Sequence, residues 1–317
     1  MGADQLLQHG DIAECASCLT RHCYESSLGV LHYLDSGQER AETVVFLHGF
    51  TGSSRDFLTL PDQILSHYRC LIPDLPGHGQ TQVLEAANTF QTEGQIRLLQ
   101  QWLTSLEQTR FHLFGYSMGG RLALQFAVRN RQQLDSLMLV STTAGIHEKG
   151  LRQKRAELDS HLAQKILNAE PIDFLTRWLS QPIFQGISEQ GEAYIAEEVN
   201  RRLPIQPSGL AYSLKYFGAG VMPSVWLQLK QITVPALVIA GSRDAKYLSL
   251  ASELVNLIPN ARLEILETTH APLVEAPDAL WKKVANFLRA NAGCQLEARK
   301  FGQDSRQPSA ISRQPKT

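Results

Sequence analysis

The segment Gly115–Gly120 constrains the fold of this chain more than any other stretch. It contains a G-x-S-x-G turn, follows the apolar run Phe111–Phe114 and precedes the amphipathic run Arg121–Ala127. A strand, such a turn and a helix predict a bend so sharp that its central serine adopts a strained backbone conformation. The glycines let strand and helix approach closely, and Ser117 projects at a helix N-terminus, where negative charge is favoured. The motif is short enough to arise by chance, so its context decides its meaning.

Short apolar strands alternate with amphipathic helices along most of the chain. The predicted strands are Val30–Leu34, Thr43–Leu47, Arg69–Ile72, Phe111–Phe114, Leu137–Val140, Ala236–Ala240 and Leu263–Leu266, and the predicted helices cover about Asp56–Ser66, Phe90–Gln108, Leu248–Leu257 and Asp278–Arg289. This alternation predicts an α/β fold with a mostly parallel sheet and helices on both faces. It breaks from about Ile146 to Phe217, where helical, charged and aromatic sequence indicates a helical cap inserted into the fold.

These patterns divide the chain into five segments. They are an N-terminal appendage (1–23), the first part of the core (24–145), the helical cap (146–220), the second part of the core (221–293) and a polar tail (294–317) with the composition of a disordered segment. With 317 residues, 43% of them hydrophobic, the chain can bury one large core.

Charge and hydropathy narrow the range of partners and compartments. The net charge of -1 provides no basic field for nucleic acid. No apolar run approaches the roughly 18 residues of a membrane span, and the N-terminus lacks the layout of a signal peptide. We therefore expect a cytoplasmic protein without nucleic-acid or membrane partners, either a monomer or a weak homo-oligomer.

Three of the five cysteines, Cys15, Cys18 and Cys23, cluster beside His22. The C-x-x-C that begins at Cys15 lacks both a second C-x-x-C for zinc and the βαβ context of a redox motif. We predict no metal site and no cofactor. Cys70 lies in an apolar run and is predicted to be a core residue, which suits a reducing compartment.

A reactive serine needs a base, and the base needs an acid that orients it. Asp244 follows the Ala236–Ala240 strand, and His270 follows the Leu263–Leu266 strand. Strand ends deliver catalytic groups in open α/β sheets, and the chain order Ser, Asp, His is the order of an α/β-hydrolase. The sequence therefore predicts an α/β-hydrolase fold with Ser117, Asp244 and His270 as its triad.

Other polar residues at strand ends offer weaker alternatives. Glu148 is an alternative acid, although its position predicts the first residue of the cap. Asp74 lies in a Pro-Gly loop, where aspartate usually organises the turn. His48 and His78 lie in glycine-rich loops, and we predict structural roles for both.

Two backbone N–H groups are expected to form an oxyanion site. One belongs to Met118, which follows the serine, and the other to Phe50, in the loop after the Thr43–Leu47 strand. Arg121, one helical turn beyond Ser117, adds a charge to this region. Because the helix after the turn is normally buried, its cation needs an anionic partner, and carboxylates bind guanidinium in bidentate fashion. An anionic substrate follows from this reasoning.

Several stretches resemble one branch of the α/β-hydrolase superfamily, the 2-succinyl-6-hydroxy-2,4-cyclohexadiene-1-carboxylate synthases of menaquinone and phylloquinone biosynthesis. The resemblance covers about residues 24 to 291. The stretches that carry it are Phe46–Ser53, Asp74–Gly79, Gly115–Arg121, Gly145–Ile146 with Arg152 and Arg155, Arg177–Phe184 and Gly241–Tyr247.

Enzymes of this family eliminate pyruvate from a cyclohexene that carries enolpyruvyl, succinyl and ring carboxylates. The resemblance implies that Ser117, activated by His270 and Asp244, acts as a base that removes a ring proton. It also implies a small polycarboxylate partner, with a binding site made of Tyr116, Arg121, Arg155, Trp178, Arg202 and Lys246.

Two other functions remain open on the sequence. A serine esterase or a C–C bond hydrolase would use the same triad with Ser117 as nucleophile, and the triad alone cannot separate these activities. A ligand receptor built on the same fold would not require Asp244 or His270. The sequence also leaves open whether menaquinone or phylloquinone is the end product.

Overall fold

The computed structural model describes residues 18–37, 42–84 and 86–292. The strands of this part are β1 (Thr20–Ser26), β2 (Gly29–Asp35), β3 (Glu42–Leu47), β4 (Tyr68–Pro73), β5 (Gln82–Val83), β6 (Phe111–Tyr116), β7 (Leu134–Val140), β8 (Ala236–Gly241) and β9 (Ala261–Leu266). The α-helices are α1 (Asp62–Leu65), α2 (Ala86–Phe90), α3 (Thr92–Ser105), α4 (Met118–Asn130), α5 (Lys149–Leu167), α6 (Pro171–Leu179), α7 (Gln185–Ser188), α8 (Glu192–Arg202), α9 (Pro207–Phe217), α10 (Ala245–Leu257), α11 (Pro272–Glu275) and α12 (Pro277–Asn291).

The strands form one mixed sheet in the order β1-β2-β4-β3-β6-β7-β8-β9, with β5 paired to β2. From β4 to β9 every neighbouring pair is parallel, whereas β2 pairs antiparallel with β1, β4 and β5. Because parallel strands share one direction, the carboxyl ends of β3, β6, β7, β8 and β9 meet at one edge of the sheet. The loops that follow these ends therefore converge.

The central strands carry apolar residues on both faces, so both faces of the sheet are buried. In β7, Leu137 and Leu139 pack into one core cluster, while Met138 and Val140 pack into the other. The first cluster lies under α3, α4 and α10, and the second under α1 and α12. Helices thus cover both faces, as the sequence predicted.

Between β7 and β8 the chain forms the helices α5 to α9 and no strand. A third apolar cluster, which includes Phe174, Leu175 and Leu214, holds these helices together. Phe50 of the core and Trp178 of α6 pack at its edge, so the helical layer sits on the carboxyl edge of the sheet. We call the segment from α5 to α9 the cap.

Two predictions about elements were wrong. The N-terminal appendage was predicted to extend to residue 23, but β1 begins at Thr20 and pairs with β2 along its full length. Most of β1 is exposed at the sheet edge, so its sequence carries no apolar alternation. The predicted helix over 56–66 is a 3-10 turn, Ser54–Phe57, followed by the short α1, because Pro61 interrupts the helical hydrogen bonding.

The remaining expectations concern the chain termini, the cysteines, metal sites and membrane spans. Residues 1–17, with Cys15, and the predicted tail at 294–317 lie outside the described residues. Cys23 is exposed and Cys70 is buried, and burial raises the pKa of the Cys70 thiol. Within 18–37, 42–84 and 86–292, acidic, histidine and cysteine side chains form no group suited to a metal ion. In the same ranges no helix has the length and apolarity to cross a bilayer.

Candidate active site

Ser117 lies at the sharp turn between β6 and α4, with φ 50° and ψ −105°. This left-handed conformation is rare for a residue with a side chain, and the surrounding backbone holds it in place. The Ser117 N–H donates to Val140 O at 2.9 Å, and its carbonyl accepts from Thr142 Oγ1 at 2.7 Å. A Cβ on Gly119 would lie 2.2 Å from Leu47 O, so glycine is required where α4 crosses β3.

Ser117, His270 and Asp244 form a continuous hydrogen-bonded chain. Ser117 Oγ lies 2.9 Å from His270 Nε2, and His270 Nδ1 lies 2.8 Å from Asp244 Oδ2. Because a carboxylate only accepts, Nδ1 carries the proton and Nε2 is left to accept from the serine hydroxyl. Asp244 is the N-cap residue of α10, and its second oxygen accepts from the Tyr247 N–H at 3.2 Å. The three predicted residues are therefore brought together with the geometry of an activated serine.

Aromatic rings enclose the His270 imidazole. The Tyr247 ring lies 4.3 Å from it, and the rings of Tyr116 and Phe184 both lie 5.9 Å away. Sequence reasoning assigned no role to Tyr247 or Phe184. The signal for Tyr247 was its spacing from Asp244, because the N-cap carboxylate binds the N–H of the third helical residue. Phe184 comes from the cap, so only the fold could bring it here.

The two N–H groups predicted for the oxyanion site belong to residues near the serine: Met118 directly follows Ser117, and Phe50 follows Gly49, where a Cβ would lie 3.7 Å from Ser117 Cβ. Met118 is the first residue of α4, and Phe50 lies in the turn after β3. In the described part of the chain, neither N–H donates to a backbone or side-chain acceptor. A helix N-terminus and an adjacent loop with unused donors can bind a developing negative charge.

The histidines and the aspartate of the neighbouring loops have internal partners. His48 Nε2 accepts from the Leu75 N–H at 2.9 Å, and burial lowers the pKa of His48. Burial also lowers the pKa of His78 to about 3. The Asp74 carboxylate accepts from the Ser54 N–H at 2.7 Å and the Gln80 N–H at 2.9 Å. These contacts give the loops their shape, in agreement with the structural roles expected for them.

Glu148 is the N-cap residue of α5, the first helix of the cap, and its carboxylate does not bind His270. Its carboxylate accepts from the Gly150 and Leu151 N–H groups, both at 2.6 Å. These bonds lower the pKa of Glu148. Asp244 occupies the position beside His270, so the alternative acid is excluded by geometry.

Arg121 is buried, as predicted, and its contacts within the protein are with uncharged groups. Its Nη1 donates to Phe217 O at 3.0 Å, contacts Met222 Sδ at 3.7 Å, and the guanidinium lies 5.3 Å from the Phe217 ring. Burial lowers the pKa of Arg121 to about 10. A carbonyl and an aromatic face thus replace the anion in part, because both present partial negative charge to the cation. Among the described residues, no ion pair joins Arg121 to a carboxylate.

Two further predicted cations, Arg155 and Lys246, belong to the same group of charges as Arg121. Arg155 Nε donates to Asp159 Oδ1 at 2.8 Å, one turn along α5. Burial and the charge of Arg155 lower the pKa of Lys246, whose ammonium lies 5.3 Å from the Tyr247 ring. Arg155 likewise lowers the pKa of Arg121. The cations repel one another across Tyr247, and an anionic ligand would relieve that repulsion.

Arg202 has strong internal partners. Its Nη1 donates to Glu198 Oε2 at 2.5 Å, and the Glu198 side chain is fully buried. Burial opposes the charge of Arg202, but Asp56 and Glu198 raise its pKa. Arg202 also interacts electrostatically with Tyr116, which lies beside His270. The charge of Arg202 is therefore balanced by carboxylates of the protein.

Trp178 of α6 packs between Phe50 of the core and Phe184 of the cap. Its ring lies 5.3 Å from Phe50 and 5.7 Å from Phe184, which itself contacts His270. On its other side, Trp178 lines a cleft of about 780 Å³ together with Phe174, Lys165 and Arg177. The cleft opens on the cap and none of the triad residues lines it.

Comparisons with known proteins identify the family of this chain. Residues 42–277 match the model of the α/β-hydrolase fold family. A Bacillus subtilis (strain 168) protein, provisionally named 2-succinyl-6-hydroxy-2,4-cyclohexadiene-1-carboxylate synthase, is 35% identical over 255 residues, which cover 80% of this chain and 93% of that protein. The synthase of Enterobacter sp. (strain 638) is 32% identical over 225 residues, covering 69% of this chain and 83% of its own.

Solved structures extend the similarity to the whole fold. The structure of MenH from S. aureus matches with a TM-score of 0.75 and 30% identity, covering 86% of this chain and 98% of that one. Both the sequence and the structural match span the core and the cap. The chain therefore belongs to the α/β-hydrolase fold family and, within it, to the family of 2-succinyl-6-hydroxy-2,4-cyclohexadiene-1-carboxylate synthases.

Proposed function

We propose that this protein eliminates pyruvate from 2-succinyl-5-enolpyruvyl-6-hydroxy-3-cyclohexene-1-carboxylate to form 2-succinyl-6-hydroxy-2,4-cyclohexadiene-1-carboxylate, in menaquinone or phylloquinone biosynthesis. One observation carries the proposal: the Ser117–His270–Asp244 chain lies beside a group of cations, Arg121, Arg155 and Lys246, that surrounds Tyr247. A substrate with three carboxylates suits such a wall, whereas a neutral ester does not need it.

The reaction can be written with this chain's groups alone. The ring proton at C2 is acidic because it is α to the succinyl ketone. Ser117 Oγ takes this proton as it passes its own to His270 Nε2, and Asp244 stabilises the resulting imidazolium. Negative charge develops on the ketone oxygen, where the Met118 and Phe50 N–H groups can donate to it.

The elimination then completes through the ring. The electron pair forms the C2–C3 double bond, the C3–C4 double bond moves to C4–C5, and the C5–O bond breaks. The enolate of pyruvate leaves and takes up a proton from His270, which restores the neutral triad. Ser117 is thus a base and forms no acyl-enzyme in this proposal.

A serine hydrolase is the second candidate, because the turn and the triad geometry would serve an acyl-transfer reaction equally well. The deciding experiment mixes purified protein with the enolpyruvyl precursor and follows pyruvate with a coupled lactate dehydrogenase assay. p-Nitrophenyl esters are tested in parallel. We expect pyruvate release with little ester cleavage. Ready ester cleavage without pyruvate release would overturn the lyase proposal.

A further inference from the structure

The loop that carries His270 is held by a carboxylate that the proposed reaction does not use. Glu275, the last residue of α11, accepts from the Thr269 N–H at 2.7 Å through Oε2. Its other oxygen accepts from Thr269 Oγ1. Both carboxylate oxygens therefore bind the residue that directly precedes His270, and charge-assisted bonds of this kind are stronger than neutral ones.

The cap contacts both His270 and Glu275. The His270 N–H donates to Ile183 O at 3.2 Å, in the 3-10 turn before α7. A Cβ on Gly186 would lie 1.9 Å from Glu275 Oε2 and 2.2 Å from its Cδ. The carboxylate thus fits against α7 only because residue 186 has no side chain.

The loop that carries Asp244, here called the acid loop, also contacts the cap next to α7. Arg243, next to Asp244, forms a bidentate pair with Glu189, with Nη–Oε distances of 2.8 Å and 2.6 Å. The Arg243 N–H also donates to Thr268 O at 3.0 Å, which links the acid loop to the base loop. The loop of Asp244 and the loop of His270 are thereby bound to each other and to the cap.

We propose that Glu275 is a positioning residue: seated against Gly186 of the cap, it holds Thr269 and so aligns the His270 imidazole between Ser117 and Asp244. A displacement of about 1 Å at a catalytic group can reduce a rate by a hundredfold, so the loss of this carboxylate reaches the reaction without any contact with substrate. The proposal builds on the proposed function, but alignment of His270 can be measured independently of it.

The test uses two readouts on the full-length protein. The first is the rate at which a fluorophosphonate ester labels Ser117, which requires serine activation by His270 but not the cyclohexene substrate. The second is pyruvate release, resolved into kcat and KM. The variants are Glu275→Gln and Gly186→Ala, which disturb one contact from its two sides. The matched controls are Glu253→Gln, an exposed glutamate on α10, and Ser188→Ala, a half-buried residue of α7 near Gly186.

We expect both variants to lower the labelling rate and kcat by the same factor, at least about tenfold, with KM within twofold of the parent protein. Circular dichroism and a melting curve establish that each variant is folded, and either variant alone decides the test where the other does not fold. Folded variants that label at the parental rate would overturn the proposal, as would a loss confined to KM. If the parent protein labels but releases no pyruvate, the proposed function fails, and the labelling rates still decide the role of Glu275.

Discussion

The triad and the cationic wall beside it are built in opposite ways. Ser117, Asp244 and His270 come from the carboxyl ends of three core strands and are each other's hydrogen-bond partners. The cations of the wall, Arg121, Arg155 and Lys246, come from α4, α5 and α10, and each has a different kind of neighbour. Arg155 pairs with the Asp159 carboxylate of the cap, Arg121 has a carbonyl and a phenyl ring, and Lys246 lies over the Tyr247 ring.

This difference separates groups that the strand ends place from groups that lie on helices of the core and the cap. A triad made from strand ends is complete without ligand, because the sheet determines the distances between its members. A cation that is already paired, such as Arg155, can offer only its remaining donors to a substrate. Arg121 is the buried cation of the wall and has no carboxylate partner among the described residues, so it should contribute most to binding a carboxylate.

The largest effect is expected from Ser117→Ala, which removes the base while leaving the wall intact. We expect kcat/KM for pyruvate release to fall by about 10³-fold or more, or about 4 kcal/mol, because general bases contribute rate factors of this size. Ser141→Ala is the control. Ser141 directly follows β7 and has a similarly positive φ of 48°, and its buried Oγ has no hydrogen-bond partner in the described residues. Full activity of Ser117→Ala would contradict the assignment of the base.

The next largest effect is expected from Arg121→Ala, which tests the wall directly. We expect kcat/KM to fall about a hundredfold, a loss of about 3 kcal/mol of transition-state stabilisation. Arg121→Lys keeps a charge but loses the bidentate geometry, so it should recover only part of this loss. Arg129→Ala, on the same helix but paired with Glu93, is the control. If Arg121→Ala has nearly parental activity, Arg121 is a structural cation that holds Phe217 O.

A third variant, Glu198→Gln, tests whether the cap cations are held by their own carboxylates. Glu198 is fully buried and binds both Arg201 and Arg202. Breaking this pair leaves two cations with less compensation, so we expect the free energy of unfolding to fall by about 2–3 kcal/mol. Urea denaturation measures the change, and Glu197→Gln, an exposed neighbour on α8, is the control. A fluorophosphonate labelling rate equal to that of the parent would show that the triad is independent of this pair.

The smallest effect is the loss of stability in acid that we expect from His78, in the loop after β4. The pKa of His78 is about 3 in the folded protein, and an unfolded histidine has a pKa of about 6.5. The unfolded chain therefore binds more protons below about pH 6.5, so stability is lost as the pH falls from there towards 3. At pH 5 this one residue should cost about 2 kcal/mol.

Replacement of this histidine isolates its contribution. We expect His78→Asn to lower stability at pH 7.5 but to lose less stability between pH 7.5 and 5 than the parent protein does. Melting temperatures at both pH values measure the difference. His161→Asn, an exposed histidine of the cap, should behave like the parent. An unchanged pH dependence in His78→Asn would contradict the predicted protonation.

How far the sequence predicts this site depends on the type of contact. Ser117, Asp244 and His270 could be predicted because strand ends and chain order are written in local patterns. The partners of Arg121 could not, because Phe217 and Met222 are far away in the chain and only the packing of cap on core brings them near. Phe184 was missed for the same reason. Glu275 lies only six residues beyond Thr269, but its seat against Gly186 of the cap depends on the packing of cap on core.

The sequence by itself determined the α/β-hydrolase fold, the helical insertion and which three residues form the hydrogen-bonded chain at Ser117. These follow from periodicity and from a glycine-rich turn, which act over short distances along the chain. The tertiary structure alone decided which charges are balanced and which carboxylate holds His270. Charge balance and alignment depend on distances between side chains from different elements, because electrostatic and hydrogen-bond energies fall off steeply with separation.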